Sequence, residues 1–129
     1  IFVGALPQQL LAKNTVLQTV DLTDMGLSAE GGEAKLYRMG DPKNGKCRIE
    51  AVHFGEMGKV VYSFNFGSTL RYAALREFRY SKPLMMGQKA KMILAREVTL
   101  QSAEGAKILP KEFETFKAFF DVAILAGCR

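Results

Sequence analysis

Between residues 33 and 80 the chain runs through successive short segments of alternating apolar and polar side chains, separated by glycine-containing breaks. That pattern belongs to antiparallel strands laid side by side in a meander. The clearest segment is Lys59-Val60-Val61-Tyr62-Ser63-Phe64-Asn65-Phe66, in which Val60, Tyr62, Phe64 and Phe66 alternate with Lys59, Ser63 and Asn65. A strand over 46–54 precedes it, and Gly55-Glu56-Met57-Gly58 between them, with glycine at each end, suits a hairpin in which one position needs positive φ. An earlier strand over 34–39 turns through Gly40-Asp41-Pro42-Lys43-Asn44-Gly45, and Gly67-Ser68 reverses the chain into a strand over 69–80. In that last strand Leu70, Tyr72, Phe78 and Tyr80 share a parity, Leu75 opposes them and Arg76 falls on the apolar side. A bulge near Ala73-Ala74 is expected to reconcile the two registers and to curve the sheet.

The flanks are less regular. Pro7 can open a short helix over 7–13, residues 15–22 have the β-branched look of a strand, and Asp24, Gly26, Ser28, Gly31 and Gly32 read as a loop. Ser81-Lys82-Pro83 ends the meander. Residues 85–102 fit either a helix followed by a strand or one long strand; a strand over 93–101 is preferred, followed by a short extended piece over 106–109. A helix is then expected from Pro110, with Glu112 and Glu114 near the positive end of its dipole and Gly127 as its stop. Phe113, Phe116, Phe120, Ala123 and Ile124 recur at three- and four-residue steps, an apolar stripe that belongs against the sheet. The expected fold is therefore α+β: an antiparallel meander of four to six strands packed against a C-terminal amphipathic helix, as one domain over 1–129.

A length of 129 residues, 48% of them hydrophobic, supports a single core, and no run approaches the ~20 apolar residues of a membrane-spanning helix. Ile1 at the start, without the basic flank of a signal peptide, reads as a processed chain. Cys47 and Cys128 belong to no Cys-x-x-Cys and suit one bridge from the end of the chain to its middle, which fits a periplasmic or secreted protein. The alternative is two unpaired buried thiols in a cytosolic protein. The net charge of +5 biases the chain toward acidic partners without defining one. Basic residues gather at Arg71, Arg76, Arg79, Lys82, Lys89, Lys91 and Arg96, as a polyanion contact or as a solvated strand face that discourages edge pairing.

The only histidine, His53, rules out imidazole-rich zinc sites and leaves one base for any triad. It shares a parity with Cys47, Ile49 and Ala51, as a partly buried structural histidine would. No serine sits in a Gly-x-Ser-x-Gly elbow. Glu50 and Glu56 flank the best hairpin, but Glu50 is expected to face Lys59 or Ser63 across it. Asp21 and Asp24 lack calcium-loop grammar, and Gly55-x-x-Gly58 joins strands, unlike the phosphate-clamping loop with those letters. Neither a dinucleotide fingerprint nor a phosphate-binding lysine loop is present. No catalytic residue, metal or cofactor is therefore assigned. Aromatics mixed with bases from Tyr62 to Tyr80 resemble stacking faces for single-stranded nucleic acid, but alternation accounts for most of them as core and nucleic acid is not the expected partner.

In architecture alone, a small basic disulfide-closed sheet with a helix resembles bacterial periplasmic inhibitors and toxin-immunity proteins. The Ser-Gly-x-x-Tyr loop of some lysozyme-inhibitor families has no counterpart, since Gly67-Ser68-Thr69-Leu70-Arg71-Tyr72 differs in order and spacing. The expected function is a non-catalytic extracytoplasmic module that binds a protein, with Glu56, Met57, Arg71, Arg76 and Arg79 as contact residues. The alternatives are a polyanion-binding protein and an enzyme in which Glu50, Glu56 or Glu77 converges on His53.

Overall fold

The computed structural model describes residues 13–23, 31–81 and 91–129. The expected N-terminal helix, most of the loop after residue 23 and the stretch holding Lys82 and Lys89 lie outside them.

Six strands follow one another in chain order, each antiparallel to the next: β1 Thr15–Asp21, β2 Gly32–Arg38, β3 Cys47–Gly55, β4 Gly58–Phe66, β5 Leu70–Tyr80 and β6 Met92–Thr99. A single 3-10 turn, Pro42–Asn44, joins β2 to β3, and the Asp41 carboxylate accepts the Lys43 N–H there at 3.1 Å. The register sorts side chains onto two faces. Ala34, Ala51, Tyr62, Leu75 and Val98 form one cross-strand row, Leu36, Ile49, Phe64 and Ala73 the next, and both face inward.

The C-terminal segment covers that face as two helices, α1 Ala103–Lys117 and α2 Val122–Ala126. Leu109, Phe113 and Phe116 of α1 are buried, and Phe120 joins them from the link between the helices. Ring centroids of Phe113 lie 5.5 Å from Phe64 and 5.0 Å from Phe66; those of Phe116 lie 5.1 Å from Tyr62 and 5.9 Å from Phe64. Of the expected stripe, Ile124 is partly buried and Ala123 is exposed. The Cys47–Cys128 disulfide joins the first residue of β3 to the end of the helical segment, 81 residues away.

Two expectations need correction. The helix starts at Ala103, not Pro110, so residues 106–109 are helical. Ser102 caps α1 by accepting the Gly105 N–H at 2.9 Å, and Gly105 lets the first turn sit directly on β6, where a Cβ would fall 1.7 Å from the Thr99 carbonyl oxygen. Pro110 lies inside the helix; it has no N–H for the Ala106 carbonyl, yet burial of Leu109, Phe113 and Phe116 on either side holds the segment helical. After Lys117 the chain turns, and the Asp121 carboxylate accepts the Ala123 N–H at 2.8 Å to start α2.

The second correction concerns β5. Ala73 and Ala74 stay in register opposite Phe64 and Ser63, and the irregularity falls at Arg71, because Asn65 pairs with Tyr72 while Phe66 pairs with Leu70. The extra residue turns Leu70 onto the side of Leu75. Tyr72, Arg76, Phe78 and Tyr80 then share the face away from α1, so Arg76 is not on the apolar side. A further shift in β6 leaves Ala95 as the extra residue between the Glu77–Arg96 and Phe78–Leu94 pairs.

Candidate functional site

The ends of β3 and β5 and the start of β6 come together at one end of the meander. There the β3–β4 turn, carrying Glu56 and Met57, lies against the end of β5: Gly58 pairs with Arg79, and the Met57 carbonyl accepts the Tyr80 N–H at 2.9 Å. Across β5, Tyr80 pairs with Met92, Arg79 with Ile93 and Phe78 with Leu94. Glu56, Met57 and Arg79 thus belong to one contiguous surface with the first half of β6. Arg71 sits at the far end of β5, and Arg76 lies between them on the face away from α1.

That surface is unusually apolar for an outer strand. Met92, Ile93 and Leu94 expose 39%, 52% and 48% of their surface, and Met57 exposes 65%. Ile93 points to the helix side of the sheet and Leu94 to the other, so apolar groups stand both above and below the strand. Among the described residues β6 has a strand neighbour on one side only, β5. Edge strands are ordinarily blunted by charge or proline, and this run of three carries neither.

Two basic residues of this region, Arg76 and Arg96, are engaged by acids. Arg76 Nε donates to Glu97 at 2.6 Å and its other nitrogen reaches the Tyr72 hydroxyl at 3.4 Å; the Glu97 hydrogen bond favours its charged form still further. Arg96 bridges Glu77, at 3.0 Å, and Glu104 on α1. Pairing of this kind weakens the polyanion reading of the cluster.

A second feature lies on the helix side. His53 begins a cross-strand row that continues through Val60 and Glu77 to Arg96, and α1 crosses above it. Between sheet and helix opens a cleft of about 330 Å3 lined by His53, Val60, Tyr62, Glu112, Thr115 and Phe116. The His53 ring lies 5.7 Å from that of Phe116 and 6.1 Å from that of Tyr62. Its Nδ1 is shut off from solvent with no hydrogen-bond partner. Burial lowers the His53 pKa, with Glu112 opposing more weakly, so the imidazole is neutral at pH 7; burial raises that of Tyr62, with Glu112 and Glu77 adding to it, so its phenol keeps its proton.

This differs from the acid convergence considered from sequence. Glu50 is on the face away from α1, opposite Ser63 and 3.4 Å from Arg48; Glu56 is in the turn; Glu77 shares the row of His53 but lies beyond Val60 and is bound to Arg96. The carboxylate beside His53 is Glu112. Helical spacing marks Glu112 only as a neighbour of the apolar stripe, and no local pattern links it to a strand residue. Among the described residues no cluster of three His, Cys, Asp or Glu side chains could hold a metal ion, and no helix is long and apolar enough to cross a membrane. Comparison with protein-family models, with curated proteins and with solved structures matches none of them to this chain.

Proposed function

We propose that this protein is a non-catalytic extracytoplasmic binding module, of the inhibitor or immunity-protein kind, that holds a protein partner at the hairpin end of its sheet. The observation that carries the reading is the exposed triplet Met92-Ile93-Leu94 on an outer strand, contiguous with Met57, Tyr80 and Arg79. A partner segment laid along β6 in extended form would pair with its main chain on the side away from β5. Affinity would come from that pairing and from apolar contacts above and below the strand. Glu56 and Arg79 at the margin would set orientation and the speed of encounter rather than most of the affinity. The disulfide supports an oxidising compartment, where such bridges persist.

The test compares the oxidised protein with an Ile93→Asp, Leu94→Asp variant as baits in an extract of the organism that encodes it. Both side chains are half exposed, so the variant should fold with an unchanged far-ultraviolet spectrum. A protein recovered in stoichiometric amount by the wild type and lost from the variant supports the reading. Recovery of no protein by the wild type, or equal recovery by both, overturns it.

A further inference from the structure

The cleft beside His53 is separate from the strand edge, and its chemistry points to a different kind of ligand. One side of it is aromatic: the Tyr62 ring packs on the buried Phe116 ring, 5.1 Å between centroids, and His53 lies beside both. Among the described residues its single formal charge is the Glu112 carboxylate. On α1 the positions three and four residues from Glu112 are Ile108, Leu109, Thr115 and Phe116, none of them basic, so the helix offers no ion-pair partner. The sheet offers none either, because Arg96, in the row that begins at His53, is occupied by Glu77 and Glu104. Among the described residues Glu112 makes no ion pair. The neutral imidazole adds no positive charge, and the Thr115 hydroxyl is committed to the Lys111 carbonyl at 3.1 Å.

A carboxylate without a counter-ion, beside aromatic rings, is complementary to a cation that is itself partly apolar. A metal ion does not fit, since one carboxylate and one imidazole are too few ligands. The volume of about 330 Å3 lies at the small end of the range for pockets that enclose small molecules, about 300–1,000 Å3. We propose that the cleft between β3–β4 and α1 binds a small organic ammonium ion, with Glu112 as its counter-ion and the rings of Tyr62 and His53, backed by Phe116, as its aromatic side. This site does not depend on the protein-binding reading and stands or falls apart from it.

The single histidine supplies the readout, because the imidazole signals in a proton NMR spectrum come from His53 alone. Choline serves as the probe and its uncharged tert-butyl isostere as the control. Choline is expected to shift the His53 signals saturably, with the isostere about tenfold weaker. Replacing Glu112 by Gln, which keeps the side chain's size, should weaken choline about fivefold or more and leave the isostere unchanged. Absence of a saturable shift with choline, equal binding of the isostere, or an unchanged choline affinity in Glu112→Gln overturns the proposal. Phosphatidylcholine vesicles distinguish the source: co-sedimentation together with choline binding assigns a lipid headgroup, and choline binding without it assigns a dissolved ammonium ion.

Discussion

At the scale of single residues, His53 and Gly105 show how strongly position governs behaviour. His53 is held neutral because a second proton would place a charge in a half-buried site where Nδ1 has no acceptor. Its folded pKa lies below the ordinary 6.5, so above that value neither folded nor unfolded chain carries the proton. As pH falls through 6.5 the unfolded chain takes it first, and stability declines until the pH passes the folded value. Urea midpoints measured between about pH 7.5 and about pH 5.5 should therefore fall in the wild type and fall less in His53→Phe. Identical slopes would show that the imidazole is not buried as described. Gly105 is constrained sterically instead, because any Cβ there would meet the Thr99 carbonyl. Gly105→Ala must push α1 off β6 and should cost about 1–3 kcal/mol by denaturation, despite alanine's better helix propensity. The alternation of the sequence placed His53 correctly on the inward parity, but its chemical neighbour could not be read locally: Glu112 reaches it only through the packing of α1 across β3 and β4.

Legibility at the scale of elements followed the strength of the local signal. Strands β2 to β5 were readable because a half-buried antiparallel strand must alternate and its turns need glycine. The bulge lies elsewhere than expected because parity alone cannot distinguish an apolar side chain under α1 from one on the opposite face: Tyr72, Phe78 and Tyr80 share that opposite face with Arg76. For α1 the proline was the misleading residue. Pro110 looked like a first-turn position, while the actual start lay at Ser102, whose hydroxyl caps Gly105 without the Glu or Gln that completes a capping box. If that hydroxyl supports the helix start, Ser102→Ala should lower stability by about 1 kcal/mol. Phe116→Ala should cost about 3–5 kcal/mol, since its ring fills the space between Phe64, Tyr62 and Phe119. A ratio of this kind in equilibrium denaturation would place most of the stability of α1 in packing rather than in its cap.

For the whole molecule the governing fact is that, among the described residues, the last 27 fold back over the sheet and cover its inward face. Three ties hold them there at the end opposite the hairpin surface: the Cys47–Cys128 bridge, the Arg38 guanidinium donating to the Gly127 carbonyl at 3.4 Å, and Gln18 Oε1 accepting the Asp121 N–H at 3.0 Å. The two hydrogen bonds are exposed, so the covalent tie dominates. Closing a loop of 81 residues removes enough freedom from the unfolded chain to stabilise the fold by about 4–5 kcal/mol in the chain-entropy model. A Cys47→Ala, Cys128→Ala variant separates the possible origins of that stabilisation. If the bridge acts on the unfolded state, the urea midpoint falls and the denaturant slope rises, because the uncrosslinked chain exposes more surface when it unfolds. If it acts instead by holding α2 in the native fold, stability falls with the slope unchanged or reduced, and amide exchange quickens over α2 while the sheet keeps its protection. The extent of the loop favours the first outcome, with α1 remaining docked through Phe113 and Phe116 once the bridge is gone.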